Sequence, residues 1–113
     1  MVLVVGGIAS GKRTYVASLG YDDSQMGTAL HDGKPVLCCL EELLRQGALD
    51  TPEIEDVRSR DVVTCCEVGM GVVPVDPSER SWRELVGRTC SSLAVDADRV
   101  VRMVCGIPLT IKG

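Results

Sequence analysis

A glycine-rich turn near the start of the chain carries the residues best suited to chemistry. Four residues separate Gly6 from Gly11-Lys12, which is the spacing G-x-x-x-x-G-K of a phosphate-binding P-loop. Glycines let the backbone curl so that successive N–H groups face an anion, and a lysine adds a mobile positive charge. The turn is therefore predicted to hold the phosphates of ATP or GTP. The predicted phosphate-binding residues are Gly6, Gly7, Ile8, Ala9, Ser10, Gly11, Lys12, Arg13 and Thr14.

The residue that follows the lysine departs from this motif. A Ser or Thr hydroxyl at that place normally ligates Mg²⁺, but here it is Arg13, and the hydroxyl comes one residue later at Thr14. A helix turns about 100° per residue, so Thr14 cannot simply take over. We expect Arg13 to clamp phosphate oxygens, with Mg²⁺ accompanying the nucleotide. The alternative is a glycine-rich turn between a strand and a helix that binds no ligand.

Strands and helices alternate around this turn. Val2–Val5 is a continuous apolar run, typical of a strand buried on both faces, and Lys12–Leu19 is the predicted helix after the turn. The alternation predicts an α/β fold of the P-loop NTPase type, a mainly parallel sheet flanked by helices, in one domain over residues 1–113. The other predicted elements are a helical turn near Ser24–Ala29, strands at Val36–Leu40, Val62–Cys65, Arg99–Val104 and Leu109–Ile111, helices at Glu41–Gln46, from Thr51 as N-cap to about Ser59 and from Asp76 as N-cap to about Val95, and a loop at residues 67–77.

Composition limits the class of protein. The 113 residues suffice for one hydrophobic core, and 45% of them are hydrophobic. The net charge of −4, from 16 acidic and 12 basic residues, argues against nucleic-acid binding through a basic face. The sequence contains no apolar run long enough to span a membrane and no signal-peptide pattern, so we expect a cytoplasmic protein.

Six cysteines lie in apolar stretches of the chain, and none of them form the C-x-x-C spacing of a metal site. They are predicted to be buried, reduced thiols that act as small hydrophobic side chains. Disulfides or a metal site are the alternatives. The cysteines are Cys38, Cys39, Cys65, Cys66, Cys90 and Cys105.

The second half of the chain carries a longer pattern. Residues 63–74 are similar to "V-x-N-E-V-G-x-G-I-V-P", residues 84–88 to "R-D-x-A-G-R-x-N-Q" and residues 106–112 to "G-I-P-x-x-I-K". These are motifs of the adenosylcobinamide kinase / adenosylcobinamide-phosphate guanylyltransferase family, whose P-loop "G-G-A-R-S-G-K-S" is similar to residues 6–12. The chain therefore resembles a short member of that family.

The resemblance implies a bifunctional enzyme of cobalamin (vitamin B12) nucleotide-loop assembly. Such an enzyme phosphorylates adenosylcobinamide, a corrinoid, with ATP or GTP, and then attaches GMP through a guanylylated histidine. The family also implies a homo-oligomer. The implied catalytic residues are Lys12, Glu67 and His31, the sole histidine of the chain. The alternatives are an exposed loop histidine without function and, for Glu67, a loop carboxylate that caps backbone N–H groups.

The middle of the chain departs from the family. It is short, and Cys38 stands where the family has an acid that holds Mg²⁺. Glu41 or Glu42 would compensate from the next helix, or both are ordinary acids of a first helical turn. These departures support an alternative function, that of a catalytically reduced nucleotide-binding protein with a regulatory or partner role.

Overall fold

The computed structural model describes residues 1–68 and 76–113. The loop predicted for residues 67–77 therefore lies largely outside the described residues. No helix within the described ranges is both long enough and apolar enough to cross a membrane. The strands are β1 (Val2–Gly6), β2 (Met26–Gly27), β3 (Val36–Leu37), β4 (Val62–Cys66), β5 (Arg99–Val104) and β6 (Ile107–Lys112). The α-helices are α1 (Lys12–Ser18), α2 (Leu40–Leu43), α3 (Thr51–Ser59) and α4 (Pro77–Asp96), with short 3₁₀ helices at Asp23–Gln25 and Leu44–Gln46.

The strands form one sheet in the order β2-β3-β4-β1-β5-β6. All neighbours are parallel except β5 and β6, which are antiparallel. β1 pairs on both edges, so that Val4 lies opposite Thr64 of β4 and Val101 of β5. A central parallel strand with helices over both faces is apolar throughout, which explains the uninterrupted apolar run of β1. The predicted α/β fold, a mainly parallel sheet flanked by helices, is confirmed.

Each face of the sheet packs against its own helices. Leu3 and Val5 of β1 contribute to the larger core, together with buried residues of α2, α3 and α4. Val4 contributes to the smaller core on the other face, together with Val16 of α1. Burial on both faces holds β1 in place, and with it the turn that follows at its carboxyl end. The largest fully buried side chains are all aliphatic: Leu3, Leu37, Leu40, Leu44, Leu93, Val4, Val16, Val36, Val57, Val62, Val63 and Val101.

Aspartates begin the two longer helices. The Asp50 carboxylate accepts a hydrogen bond from the Glu53 N–H at 2.9 Å, and the Glu53 carboxylate accepts one from the Asp50 N–H at 2.9 Å. The prediction that Thr51 caps this helix was wrong by one residue, because the reciprocal pair satisfies two backbone donors at once. Asp76 caps α4 as predicted, accepting from the N–H of Ser78 at 2.9 Å.

β1 and β4 each end one residue later than predicted, and larger differences occur at three places. β3 ends at Leu37 instead of Leu40, because the chain turns at Cys39, whose φ is 62°. Met26–Gly27 forms a two-residue strand that no apolar run announced, and the helical turn predicted nearby is a 3₁₀ helix at Asp23–Gln25. The last strand, Ile107–Lys112, is longer than predicted and exposed at every residue.

All six cysteines lie within the described residues and are free thiols. The prediction of burial is correct for Cys38 and Cys65 and wrong for Cys39 and Cys105, which are exposed. Cys39 and Cys105 have φ values of 62° and 51°. Both therefore occupy tight turns, where the side chain projects away from the core.

Candidate active site

The turn between β1 and α1 has a conformation that requires glycine. A Cβ on Gly6 would lie 2.5 Å from Oγ of Ser10 and 2.8 Å from the carbonyl oxygen of Met103. Gly11 has a φ of 95°, in the left-handed region that side chains avoid. The glycines at both ends of the motif are thus explained by close approach and by backbone conformation.

The Lys12 side chain folds back over this turn. Its Nζ donates hydrogen bonds to the carbonyl oxygen of Gly7 at 2.7 Å, to that of Gly6 at 3.3 Å and to Oγ of Ser10 at 3.5 Å. The ammonium group therefore lies at the mouth of the turn and satisfies its donors there. An anion that entered the turn would compete with these carbonyl oxygens for the same charge.

A cavity of about 440 Å³ opens beside the turn. Its other walls come from the carboxyl ends of β3 and β4, the edge at which open α/β sheets bind ligands. We call it the phosphate cavity. Its lining residues are Ile8, Ala9, Ser10, Gly11, Lys12, Arg13, Thr14, Cys38, Cys39, Thr64 and Cys66.

Two thiols share this cavity with the lysine. The Cys39 N–H donates a hydrogen bond to Oγ1 of Thr64 at 3.2 Å, which holds the turn after β3 against β4. Burial raises the pKa of both the Cys39 and the Cys66 thiols, the charge of Glu41 raises them further, and Lys12 acts in the opposite direction. Both thiols therefore remain protonated at neutral pH.

The other charged residue of the turn is engaged elsewhere. Nη2 of Arg13 lies 3.3 Å from Oδ1 of Asp23, and the Arg13 side chain is 59% exposed. Thr14 is exposed on the same helix. Arg13 can therefore exchange an exposed ion pair, which is worth little, for a phosphate.

A second cavity, of about 540 Å³, adjoins the first. Ile8 and Cys66 line both cavities, so the two meet at these residues. We call it the acceptor cavity. Its lining residues are Ile8, Glu41, Glu42, Arg45, Cys66, Glu67, Val68, Glu79, Trp82 and Arg83.

Glu67 lies in this second cavity, directly after β4. Its N–H donates to the carbonyl oxygen of Gly6 at 2.9 Å, which joins it to the start of the glycine-rich turn. Its carboxylate pairs with Nε of Arg102 at 3.1 Å. The structure thus brings Glu67 together with the predicted phosphate-binding residues, and neutralises it with a neighbouring guanidinium group.

The sequence of the second half of the chain decides the family. The model of the family described as cobinamide kinase / cobinamide phosphate guanyltransferase matches residues 40–111. This chain belongs to that family. Among curated proteins, the bifunctional adenosylcobalamin biosynthesis protein CobU of Salmonella typhimurium (strain LT2) is 43% identical over 51 residues. The match covers 45% of this chain and 28% of that relative, so the chain spans little more than a quarter of the relative's length.

The family match includes the acceptor cavity more fully than the phosphate cavity. It begins at residue 40, so it contains Glu41, Cys66 and Glu67, whereas residues 6–14 lie outside it. The interpretation of the glycine-rich turn as a phosphate-binding loop therefore rests on its spacing and its geometry, and not on the family match. The two parts of the chain meet in the phosphate cavity, where Thr64 and Cys66 of β4 face Lys12.

The histidine that the family resemblance implicates lies elsewhere. His31 is exposed and follows β2, and its N–H donates to Oδ2 of Asp56 at 3.0 Å while its Nδ1 lies 3.8 Å from Oδ1. Asp56 in turn accepts a hydrogen bond from Arg60 at 2.9 Å. His31 lines neither cavity, so the structure does not bring it together with Lys12 and Glu67.

Mg²⁺ is the ion that members of such a family would be expected to use, and the residues at the phosphate cavity fit a resident Mg²⁺ site poorly. Mg²⁺ prefers oxygen ligands in octahedral geometry, whereas Arg13 and Cys38 occupy the two positions at which the motif and the family supply oxygen. Among residues 1–68 and 76–113, no group of three or more His, Cys, Asp or Glu side chains is arranged to hold a metal. An ion that enters on the phosphates of the nucleotide stays a prediction.

Sequence reasoning identified Glu41 only as a compensating Mg²⁺ ligand or an ordinary first-turn acid, and it did not place Trp82 or Arg45 in this cavity. Glu41 is 6% exposed, and Trp82 donates from Nε1 to the Glu41 carbonyl oxygen at 2.8 Å. Arg45 stacks on the Trp82 ring with 3.4 Å between its Cζ and the ring centroid. The available signals were a carboxylate in the first turn after a strand and the sole tryptophan of the chain.

Proposed function

We propose that residues 1–113 form a single nucleotide-binding domain that transfers a phosphoryl group from ATP or GTP to a corrinoid alcohol, adenosylcobinamide, in cobalamin biosynthesis. The observation that carries the proposal is the shared cavity. The glycine-rich turn and the family-matched strand β4 line it together, and Lys12 faces Thr64 and Cys66 across it. Family membership supports the substrate, and the spacing of Gly6, Gly11 and Lys12 supports the nucleotide.

Positive charge at the phosphate cavity supports binding of the nucleotide. Lys12 is held at the mouth of the turn, and Arg13 needs only to leave an exposed pair with Asp23. Phosphoryl transfer relies on positioning the reactants and on neutralising the charge of the phosphates. Lys12 and Arg13 would both neutralise that charge. Mg²⁺ bound to the nucleotide's own phosphates would add to it.

The acceptor cavity supports binding of the second substrate. It meets the phosphate cavity at Ile8 and Cys66, so an acceptor there would approach the terminal phosphate from the far side of the turn. Glu67, fixed by Arg102, would hold the acceptor rather than take its proton, because its charge is already compensated.

Guanylyl transfer is the finer part of the proposal. A neutral histidine nitrogen can attack the α-phosphorus of GTP, and Asp56 beside Nδ1 would leave Nε2 of His31 as the nucleophile. His31 lies outside both cavities, so this step requires the nucleotide and the loop that carries His31 to approach each other, within one chain or across a homo-oligomer.

The decisive experiment is mass spectrometry of the corrinoid after incubation with adenosylcobinamide, GTP and Mg²⁺. We expect a product that carries one phosphate, and a GDP-linked product if His31 also acts; His31→Ala then removes the second product and leaves the first. Lys12→Ala should weaken nucleotide binding by about 10- to 100-fold, the value of one charge-assisted hydrogen bond. Arg80→Ala, an exposed residue of α4 outside both cavities, is the matched control. Unchanged corrinoid would sink the proposal.

A second function is favoured by Arg13 and Cys38. These residues replace the hydroxyl and the acid that the motif and the family place near the phosphates. A nucleotide-binding protein with a regulatory or partner role would need the glycine-rich turn but would not need the hydroxyl or the acid. Tight nucleotide binding that is independent of Mg²⁺ and without turnover would favour this function, and Mg²⁺-dependent turnover would exclude it.

A further inference from the structure

We propose that Glu41 is the carboxylate that orients the attacking hydroxyl of the acceptor and receives its proton. The inference rests on the proposed function and names a residue for its transfer step.

The position of Glu41 follows from the turn before α2. The backbone of Cys39 is in the left-handed conformation, so the chain turns there and the helix begins at Leu40. The side chain of Glu41 consequently points back towards the sheet. Glu41 is only 6% exposed as a result, although it stands in the first turn of a short helix. A first-turn carboxylate whose only task is to stabilise a helix would lie in solvent, as Glu42 does.

Two contacts hold Glu41 in place, one to its carboxylate and one to its backbone. Oε1 of Glu41 accepts a hydrogen bond from the Cys66 N–H at 2.9 Å, and the Glu41 carbonyl oxygen accepts one from Nε1 of Trp82 at 2.8 Å. The first contact ties the side chain to the end of β4, and the second ties the backbone to α4. With its side chain held by β4 and its backbone held by α4, Glu41 is positioned before any substrate arrives, which is the requirement for orienting a reacting group.

The carboxylate also lies where the two cavities meet. Cys66, its hydrogen-bond partner, lines both cavities, and Glu41 itself lines the acceptor cavity. Lys12 and Glu41 act in opposite directions on the pKa of the Cys66 thiol, so this residue lies between the charge that would hold phosphate and the one that would hold the alcohol. This is the arrangement that an in-line transfer between neighbouring subsites needs.

The other carboxylates of the acceptor cavity are already paired. Glu67 pairs with Arg102 at 3.1 Å, Glu79 with Arg45 at 2.6 Å, and Glu42 with the same arginine at 4.0 Å. Glu41 makes no ion pair with the lysines and arginines of the described residues. Unlike the other three, the Glu41 carboxylate is therefore not compensated by a guanidinium or ammonium group of the described residues.

The step balances in atoms and charge. The alcohol oxygen forms a bond to the γ-phosphorus, the bond from that phosphorus to the bridging oxygen breaks, and the electron pair leaves with the nucleoside diphosphate. The alcohol proton passes to the Glu41 carboxylate and then to solvent. A positioned base of this kind contributes about 10²- to 10⁴-fold to a rate.

The test is Glu41→Gln with adenosylcobinamide and GTP. Glutamine keeps an oxygen for the Cys66 N–H, so a purely structural role predicts little change. The proposed role predicts that kcat falls by about 10²- to 10⁴-fold while the KM for GTP stays within about twofold. Glu55→Gln, on the exposed face of α3, is the matched control and should leave both constants unchanged.

A second readout does not depend on turnover. Removing the Glu41 charge lowers the pKa of the Cys39 and Cys66 thiols towards the ordinary value, because that charge helps to raise both. Alkylation of these two cysteines by iodoacetamide, followed by peptide mass spectrometry, should therefore be about two- to fivefold faster in Glu41→Gln at pH 7. Unchanged alkylation would show that the ionised carboxylate does not face this junction, and would overturn the inference.

The outcomes separate the two proposals. A wild-type protein that transfers phosphate while Glu41→Gln does so equally well overturns the role of Glu41 and leaves the proposed function intact. A wild-type protein that transfers nothing overturns the proposed function, and the role of Glu41 with it.

Discussion

Nη2 of Arg60 donates a hydrogen bond to Oδ2 of Asp56 at 2.9 Å, one helical turn away, while only 4% of the Arg60 side chain is exposed. Nη1 of the same guanidinium pairs with Asp32 at 2.9 Å, and the group also donates to the carbonyl oxygens of Lys34 and Ala29. Arg60 thus joins α3 to the loop that carries His31. It holds that loop in one conformation without taking part in either cavity.

Replacing this arginine should therefore cost stability. Arg60→Met leaves two aspartates half-buried without their partner, and we expect a loss of about 3–5 kcal/mol in the free energy of unfolding. Urea unfolding followed by circular dichroism measures it. Arg58→Met is the matched control, because Arg58 is 39% exposed in its pair with Asp96 and should cost less than about 1 kcal/mol. Equal losses in the two variants would contradict this account of the buried network.

Acid should weaken the same network. Burial alone would raise the pKa of Asp56, but hydrogen bonds from the His31 N–H and the Arg60 guanidinium, together with their charges, hold it below its ordinary value. A pKa that is lower in the folded state stabilises the protein above the unfolded-state value of about 3.9, and this stability is lost as the pH falls through the folded-state value. The difference in unfolding free energy between wild type and Asp56→Asn should therefore shrink between pH 6 and pH 3, approximately the range of carboxylate titration. A difference in unfolding free energy that stays constant over this range would contradict stabilisation by the ionised Asp56–Arg60 pair.

Two glycines should respond to alanine in opposite ways. In Gly6→Ala, the new Cβ meets the Met103 carbonyl oxygen at 2.8 Å, and backbone cannot move aside as a side chain can. We expect a loss of about 1–3 kcal/mol. Gly87 lies inside α4 with nothing within 4 Å of such a Cβ, so Gly87→Ala should gain about 0.5–1 kcal/mol from helix propensity. Thermal unfolding of both variants under one set of conditions tests the pair, and destabilisation by Gly87→Ala would be the contrary result.

The cysteines should react in the order of their exposure. Cys105 is exposed, whereas Cys65 is fully buried, and a hydrogen bond with Cys90 together with burial raises the pKa of Cys65. Native-state alkylation with iodoacetamide should modify Cys105 first and Cys65 about 10³-fold more slowly, since Cys65 reacts only through unfolding. Rapid modification of Cys65 would mean that β4 separates from α4 in the native state.

The central sheet could be predicted because its signals are local. β1, β4 and β5 are buried on both faces and read as short apolar runs, and Asp76-Pro77 marks the start of α4. The two-residue strand Met26–Gly27 could not be predicted in this way. It forms because Val36 offers it a paired edge, and that edge exists only in the folded sheet.

In the candidate site, too, the local features could be predicted from the sequence and the contacts between distant segments could not. The spacing of Gly6, Gly11 and Lys12 predicts a turn that the structure contains, although binding of nucleotide there stays a prediction. The burial of Glu41 depends on where β4 and α4 cross α2, and no spacing along the chain encodes that. The hydrogen bond of His31 to Asp56 likewise joins residues 25 apart in sequence through a loop of irregular structure.

The central place of β1 also determines when the phosphate turn can form. The first strand of the chain needs β4 on one edge and β5 on the other, and the amino group of Met1 reaches Asp98, 97 residues away, at 2.6 Å. Contacts so distant along the chain are slow to form, because loop closure precedes any gain from pairing. During synthesis β1 is therefore fully paired only after β5 has been made. The turn between β1 and α1 therefore reaches its final position only once synthesis has passed Val104, the last residue of β5.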